Sequence, residues 1–333
     1  MATWDEHLLG SFFLISQGLW WIILSIWYHL QSQPERKTNK MRSDVRCSKI
    51  TPTTVLKTGC LKSWIPQPFF SGIPTEPIAK IVACGIGVFG ETFLTLLVEE
   101  KGLPRRLQFG AFKIFNSSGD FVYVGKFQHV TMYSGFVLSG IVDLLVLFVH
   151  FPRATSPLFF TLAFISQSIL FWFHMGHSVL NANYHKLHLV IIISCVIFSY
   201  LRTHHSKSFV VNTALGCSIL LQGTWFFQAS LLVYKDGKIY WELHKTEHHS
   251  EKLEHMVPMY LSAVFAWHLM VVAMTVLIAW TIMYVVVNKR CIVNREKTNL
   301  KWEALQSECT ENLIEEELTV RNGSRGLEVD TEV

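Results

Sequence analysis

The chain has 333 residues, half of them hydrophobic and only 16% charged, with a formal net charge of +4 and a mean hydropathy of +0.31. Soluble domains average about 25% charged residues, so this composition excludes two soluble domains and points to a bilayer. The basic excess flanks apolar segments, as suits anionic lipid; no aromatic-interleaved basic patch supports a nucleic-acid partner, and seven cysteines without a CxxC exclude a disulfide framework.

A spanning helix needs about 20 mostly apolar residues. Seven stretches approach or exceed that length: Leu8–Leu30, Ile78–Val98, Phe127–His150, Pro157–Phe173, Leu187–Leu201, Phe209–Tyr234 and Val257–Asn288. They predict an all-α polytopic membrane protein, a seven-transmembrane-helix bundle; the fifth stretch is short and borrows from its flanks. Asp5 and Glu6 precede the first stretch where a signal peptide carries bases, so it reads as a retained span. Residues 1–290 make the membrane domain. Within it, residues 31–77 carry six prolines and read as an irregular cytosolic loop. Residues 291–333 read as a cytosolic, mostly disordered tail, with one short amphipathic piece at Trp302, Leu305, Leu313 and Ile314.

Lys and Arg bias sets orientation. One side of the membrane collects sixteen such residues, from the 31–77 loop, the tail and two short connections; the other collects ten, diluted by acids. This places the N-terminus outside or in the lumen and the C-terminus in the cytosol, in the secretory pathway or plasma membrane. The same topology exposes the sequon Asn116-Ser117-Ser118 to glycosylation.

Fifteen histidines occur, eight within or at the ends of apolar stretches. An ionisable side chain in a bilayer is expensive and calls for a named partner. Antiparallel spans bring Glu91, His129, His174, His177, His185, His188, Gln222, Gln228 and His268 to one half of the bilayer, while His29 and His150 fall at the opposite face. His174/His177 and His185/His188 are i, i+3 pairs, so each pair shares a helix face. His129, Asp143 and His150 lie seven residues or a multiple apart on a third face, interrupted by Phe136.

Imidazoles with a carboxylate at this density suit zinc or non-haem iron. The metal candidates are His129, His174, His177, His185, His188 and His268, with Glu91 as ligand or general base. Histidines at helix ends also sit in the headgroup layer at little cost, and Glu91 and His268 can equally form a structural polar network with Gln222, Gln228 or Trp225. The C-terminal Thr331-Glu332-Val333 matches a PDZ-type ligand, whose carboxylate docks in a backbone nest.

Six segments carry a resemblance: Gly18-Leu19-Trp20-Trp21, Gly90-Glu91, Gln128–Tyr133, Leu170–His174, Leu221–Gln228 and Ala266-Trp267-His268. In that order, between about residues 8 and 290, they resemble the transmembrane protein 45 family, and within it the epididymal transmembrane proteins. The resemblance implies a multi-pass membrane protein of the male reproductive tract and brings no established biochemical activity. It carries family residues onto Glu91, His129, His174, His185, Gln222, Trp225 and His268. Two departures stand out. His177 comes one place later than a His-x-His pattern requires, and Asn181 stands where relatives have an acid.

Three functions remain open. The first is a structural, trafficking or small-ligand membrane protein; the second is an intramembrane metal-dependent enzyme acting on lipid; the third is a receptor-like sensor.

Overall fold

The computed structural model describes residues 4–32, 69–70, 73–93, 119, 124–152, 154–174, 179–232, 234–235, 238–239 and 250–325. Among these the chain forms seven helices: α1 (Trp4–Ser32), α2 (Thr75–Phe93), α3 (Val124–Phe148), α4 (Thr155–Phe173), α5 (Val179–His204), α6 (Phe209–Leu232) and α7 (Ser250–Arg325). Two small antiparallel ladders accompany them. β1 (Phe69–Phe70) pairs with β2 (Ile73–Pro74), and β3 (Tyr234–Lys235) pairs with β4 (Lys238–Ile239).

Six of the helices are long and apolar enough to cross a membrane: α1, α3, α4, α5, α6 and α7. The seventh expected span is α2, which stands outside that set because its 19 residues carry Glu76, Lys80 and Glu91. The rest of its expected length, to Val98, lies outside the described residues. The fifth span differs the other way. Its helix begins at Val179, about two turns before the expected Leu187, and runs for 26 residues.

Local chemistry sets several helix ends. Pro77 and Pro157 fall in the first turns of α2 and α4, where a missing N–H costs nothing. Ser208 starts α6: its Oγ accepts from Val211 N at 3.4 Å and its carbonyl from Asn212 N at 3.1 Å.

The chain divides into two compact units, residues 1–29 with 66–281 and residues 30–65 with 282–333. In the first, α2, α3, α4, α5 and α6 each pack on their neighbour in sequence. Helix α1 lies against α6 without intervening side chains. A Cβ on Gly18 would stand 2.5 Å from Leu220 N, and one on Gly223 2.6 Å from Ile15 N. The core gathers Trp21, Phe160, Phe164, Cys195, Leu215 and Ile219, all less than 7% exposed. Phe136, Phe160 and Phe164 meet edge to face there. Leu158, Leu162, Ile165 and Ile169 of α4 and most apolar residues of α7 between Met256 and Val287 face outward, as hydrocarbon solvent permits.

Among its described residues the second unit contains the end of α1 and the C-terminal part of α7. The tail expected to be mostly irregular is helical to Arg325. Residues 300–318 supply the reason, being rich in Leu, Glu, Lys, Ala and Gln, the strongest helix formers.

Candidate functional site

Helices α2 and α3 run antiparallel, which sets the end of one against the start of the other. There the Glu91 carboxyl, 3% exposed, lies with Oε1 2.6 Å from Nδ1 of His129. With an ionised carboxylate as the acceptor, Nδ1–H of His129 is the donor of this bond. A carboxylate stripped of water is costly unless it is paired. Here the partner comes from the next helix, so burying Glu91 requires α2 and α3 to associate.

Behind His129 the imidazoles continue. Its ring centroid lies 5.2 Å from that of His174 at the end of α4, and His174 lies 5.7 Å from His185 on α5. Each ring is anchored through Nδ1 by an acceptor: His174 by Gln128 Oε1 at 2.7 Å, and His185 by the Asn181 carbonyl at 2.8 Å. One carboxylate and three imidazoles thus tie four consecutive helices together.

On α5 and α6 the row becomes aromatic. Tyr184 meets His185 edge to face at 5.7 Å and stacks on Trp225 at 4.8 Å, with 2° between the planes. The two residues also exchange hydrogen bonds. The Tyr184 hydroxyl donates to the Trp225 carbonyl, and Trp225 Nε1–H donates to the Tyr184 carbonyl at 3.3 Å. His268 of α7 packs edge-on against Trp225 at 5.5 Å.

The structure therefore joins Glu91, His129, His174 and His185 directly. Among the described residues His268 meets the row through Trp225 and forms no hydrogen bond, ion pair or ring contact with Glu91 or His174. His188, fully buried, stands to one side, stacked on Phe171 at 4.7 Å and 4.3 Å from Phe226. Gln222 is also fully buried, and its Oε1 accepts a weak bond from Cys195 Sγ at 3.8 Å. His177 and Asn116 lie outside the described residues, as does the segment 331–333. At the other end, His29 packs against both Phe209 and Trp280, which also meet each other, and His150 is exposed.

Among the described residues, no three His, Cys, Asp or Glu side chains stand close enough together to hold a metal ion. The Nδ1 atoms of His129, His174 and His185 are already committed to Glu91, Gln128 and Asn181.

A second polar cluster escaped sequence reasoning. Lys80 of α2, 7% exposed in its side chain, pairs with Asp143 of α3 at 2.5 Å. Ser156 of α4 donates to the other oxygen of Asp143 at 2.6 Å, and the Lys80 ammonium lies 4.2 Å above the Phe160 ring. The available signal was Lys80 itself, a cation in an apolar stretch with an acid on the next. The heptad spacing of Asp143 with His129 had placed both on one face of α3. That face meets α2, once at each end.

Among the described residues, seven helices, six of them long and apolar enough to cross a bilayer, with Glu91 and Lys80 paired to the neighbouring helix, define a multi-pass helical architecture of the membrane type. Residues 153–281 match the model of a family of unknown function, DUF716. The matched stretch runs from the start of α4 into α7. It takes in His174, His185, Trp225 and His268 but neither Glu91 nor His129.

Proposed function

We propose that this chain is a non-catalytic membrane protein of the transmembrane protein 45 type, in which Glu91 and the imidazole row hold α2, α3, α4 and α5 in register. The 2.6 Å contact between the buried Glu91 carboxyl and His129 carries this reading. Elemental analysis of detergent-purified protein, with thermal unfolding of Glu91→Gln and His129→Ala, tests it. The expected result is metal-free protein whose variants unfold at lower temperature; two variants as stable as the parent would sink the idea.

The topology proposed with it has α2 as a seventh span, a lumenal or external N-terminus, and residues 291–333 in the cytosol. The Lys and Arg bias supports it. It puts the protein in the secretory pathway or plasma membrane, with a sugar on Asn116, and the family likeness adds the epididymis as a place of expression. Glycosidase digestion should shift the mobility of the parent chain but not of Asn116→Gln. A PDZ-type partner at Thr331–Val333 would give the tail a sorting role, tested by deleting those residues and following surface delivery.

One observation favours a second reading, a metal-dependent enzyme acting on lipid. His129, His174 and His185 each donate Nδ1–H to an acceptor, the support that ligating histidines commonly have. Stoichiometric zinc or iron, lost in His174→Ala, would establish that alternative in place of the first.

A further inference from the structure

The end of the bundle away from Glu91 holds a cavity of about 230 Å³ among α1, α2, α3, α4 and α5. Trp21, Glu76, Lys80, Asp143, Ser156 and Arg202 line it. At ~30 Å³ per molecule it has room for about seven waters. That is less than the ~300–1,000 Å³ of a drug-sized site, so it suits a polar group and not a whole amphiphile.

Most polar groups on its wall are already engaged. Lys80 and Ser156 both bond to Asp143, occupying its two carboxylate oxygens. Pro74 and Pro77 also line the cavity and offer no N–H. Two charges remain. Arg202, in the last turn of α5, lies over Trp21, with its guanidinium carbon 4.5 Å from the ring centre. Glu76, in the first turn of α2, faces the same space. They lie within electrostatic reach of each other, yet neither forms an ion pair or side-chain hydrogen bond with any described residue. Helix dipoles favour an acid at the start of α2 and a base at the end of α5. Among the described residues no side chain accepts from the guanidinium's N–H donors.

A bare anion would satisfy Arg202 but meet Glu76; a bare cation would do the reverse. We propose that this cavity binds a zwitterionic phosphate–amine group, the chemistry of an ethanolamine phospholipid head or of free phosphoethanolamine. Arg202 takes the phosphate as a planar, bidentate donor held on Trp21, and Glu76 takes the ammonium. Both charges line the one cavity, so a ligand that carries both signs meets each of them. Acyl chains, where present, stay in the bilayer beside α2 and α3.

The test uses full-length protein in lipid-free detergent, with thermal unfolding as the readout. The probes are an ethanolamine phospholipid, an anionic glycerol phospholipid, diacylglycerol, free phosphoethanolamine and inorganic phosphate. Ethanolamine phospholipid or phosphoethanolamine should stabilise the protein at about tenfold lower concentration than the anionic lipid or phosphate, the factor for one lost ion pair of ~1.4 kcal/mol. The lipid acting better than its free head marks a membrane source; equal action marks a soluble one. Arg202→Gln should weaken every phosphate-bearing probe. Glu76→Gln should erase the preference for the amine while leaving phosphate binding. Lys207→Gln, an exposed charge in the turn before α6, should change neither. Should Arg202→Gln fail to fold, the loss of headgroup preference in Glu76→Gln decides alone. Diacylglycerol or inorganic phosphate acting as well as the zwitterions, or Glu76→Gln keeping the preference, would overturn the assignment.

Discussion

Lys80 and Asp143 close a 2.5 Å ion pair between α2 and α3, roughly 16 Å along α2 from Glu91 at 1.5 Å per residue. The same two helices are thus fastened at both ends, by Glu91–His129 and by Lys80–Asp143. Between the two pairs, Gly87 and Gly140 let the backbones close up: a Cβ on either would come within 3 Å of Tyr133 or Ile81. Burying four ionisable groups costs a great deal unless each has its partner, so correct pairing and correct packing of α2 on α3 are one event.

Removing one member of a buried pair leaves the other charge uncompensated, at about 3–5 kcal/mol. Lys80→Met and Asp143→Leu should each destabilise the protein on that scale, while the double variant recovers most of the loss. Unfolding in mixed detergent micelles measures it. Additive losses would show that the two residues do not act as a pair.

A double-mutant cycle between Glu91→Gln and His129→Ala should give a coupling of about 1–2 kcal/mol, the upper range for polar contacts between membrane helices. The matching cycle between Glu91→Gln and His268→Ala should give none. His268→Ala alone forfeits one edge-on ring contact, about 0.5–1.5 kcal/mol.

Glycine substitutions separate close approach from mere helix propensity. Gly10→Ala on α1 has nothing within 4 Å of the new methyl and should be neutral or stabilising by up to ~1 kcal/mol. Gly18→Ala pushes its methyl to 2.5 Å from Leu220 N, and should cost about 1–3 kcal/mol in strain. Cross-linking of α1 to α6 through engineered cysteines should weaken only in the second variant.

Tyr184→Phe keeps the stack on Trp225 but loses the hydroxyl bond to its carbonyl, a loss of about 1 kcal/mol. Trp225→Leu loses stack, bond and the contacts with Phe265 and His268 together. It should destabilise by about 3 kcal/mol or more. Comparable small losses in both would show that the stack contributes little.

Composition and apolar run length alone established an all-helical membrane architecture, because the hydrocarbon thickness fixes how many residues a span needs. Histidine spacing and the alternation of helix direction were also enough to bring Glu91, His129, His174 and His185 to one end. Residues at facing helix ends must share a level in the bilayer, whichever way the protein is inserted. That argument works in depth, however, and says nothing of azimuth.

Azimuth is where tertiary structure decided. His268 shares the depth of the row, yet Trp225 and Tyr184 stand between it and the other imidazoles. Lys80 could be read as an awkward charge in an apolar stretch; that Asp143, itself held by Ser156, receives it follows only from the rotation of α3 against α2 and α4. Likewise, sequence spelled out Trp21, Glu76 and Arg202 at distant positions, and packing alone gathered them around one cavity. Hydrophobicity dictates which segments enter the membrane. The shapes of side chains in contact, with glycine wherever backbones touch, dictate which face each segment turns to its neighbour.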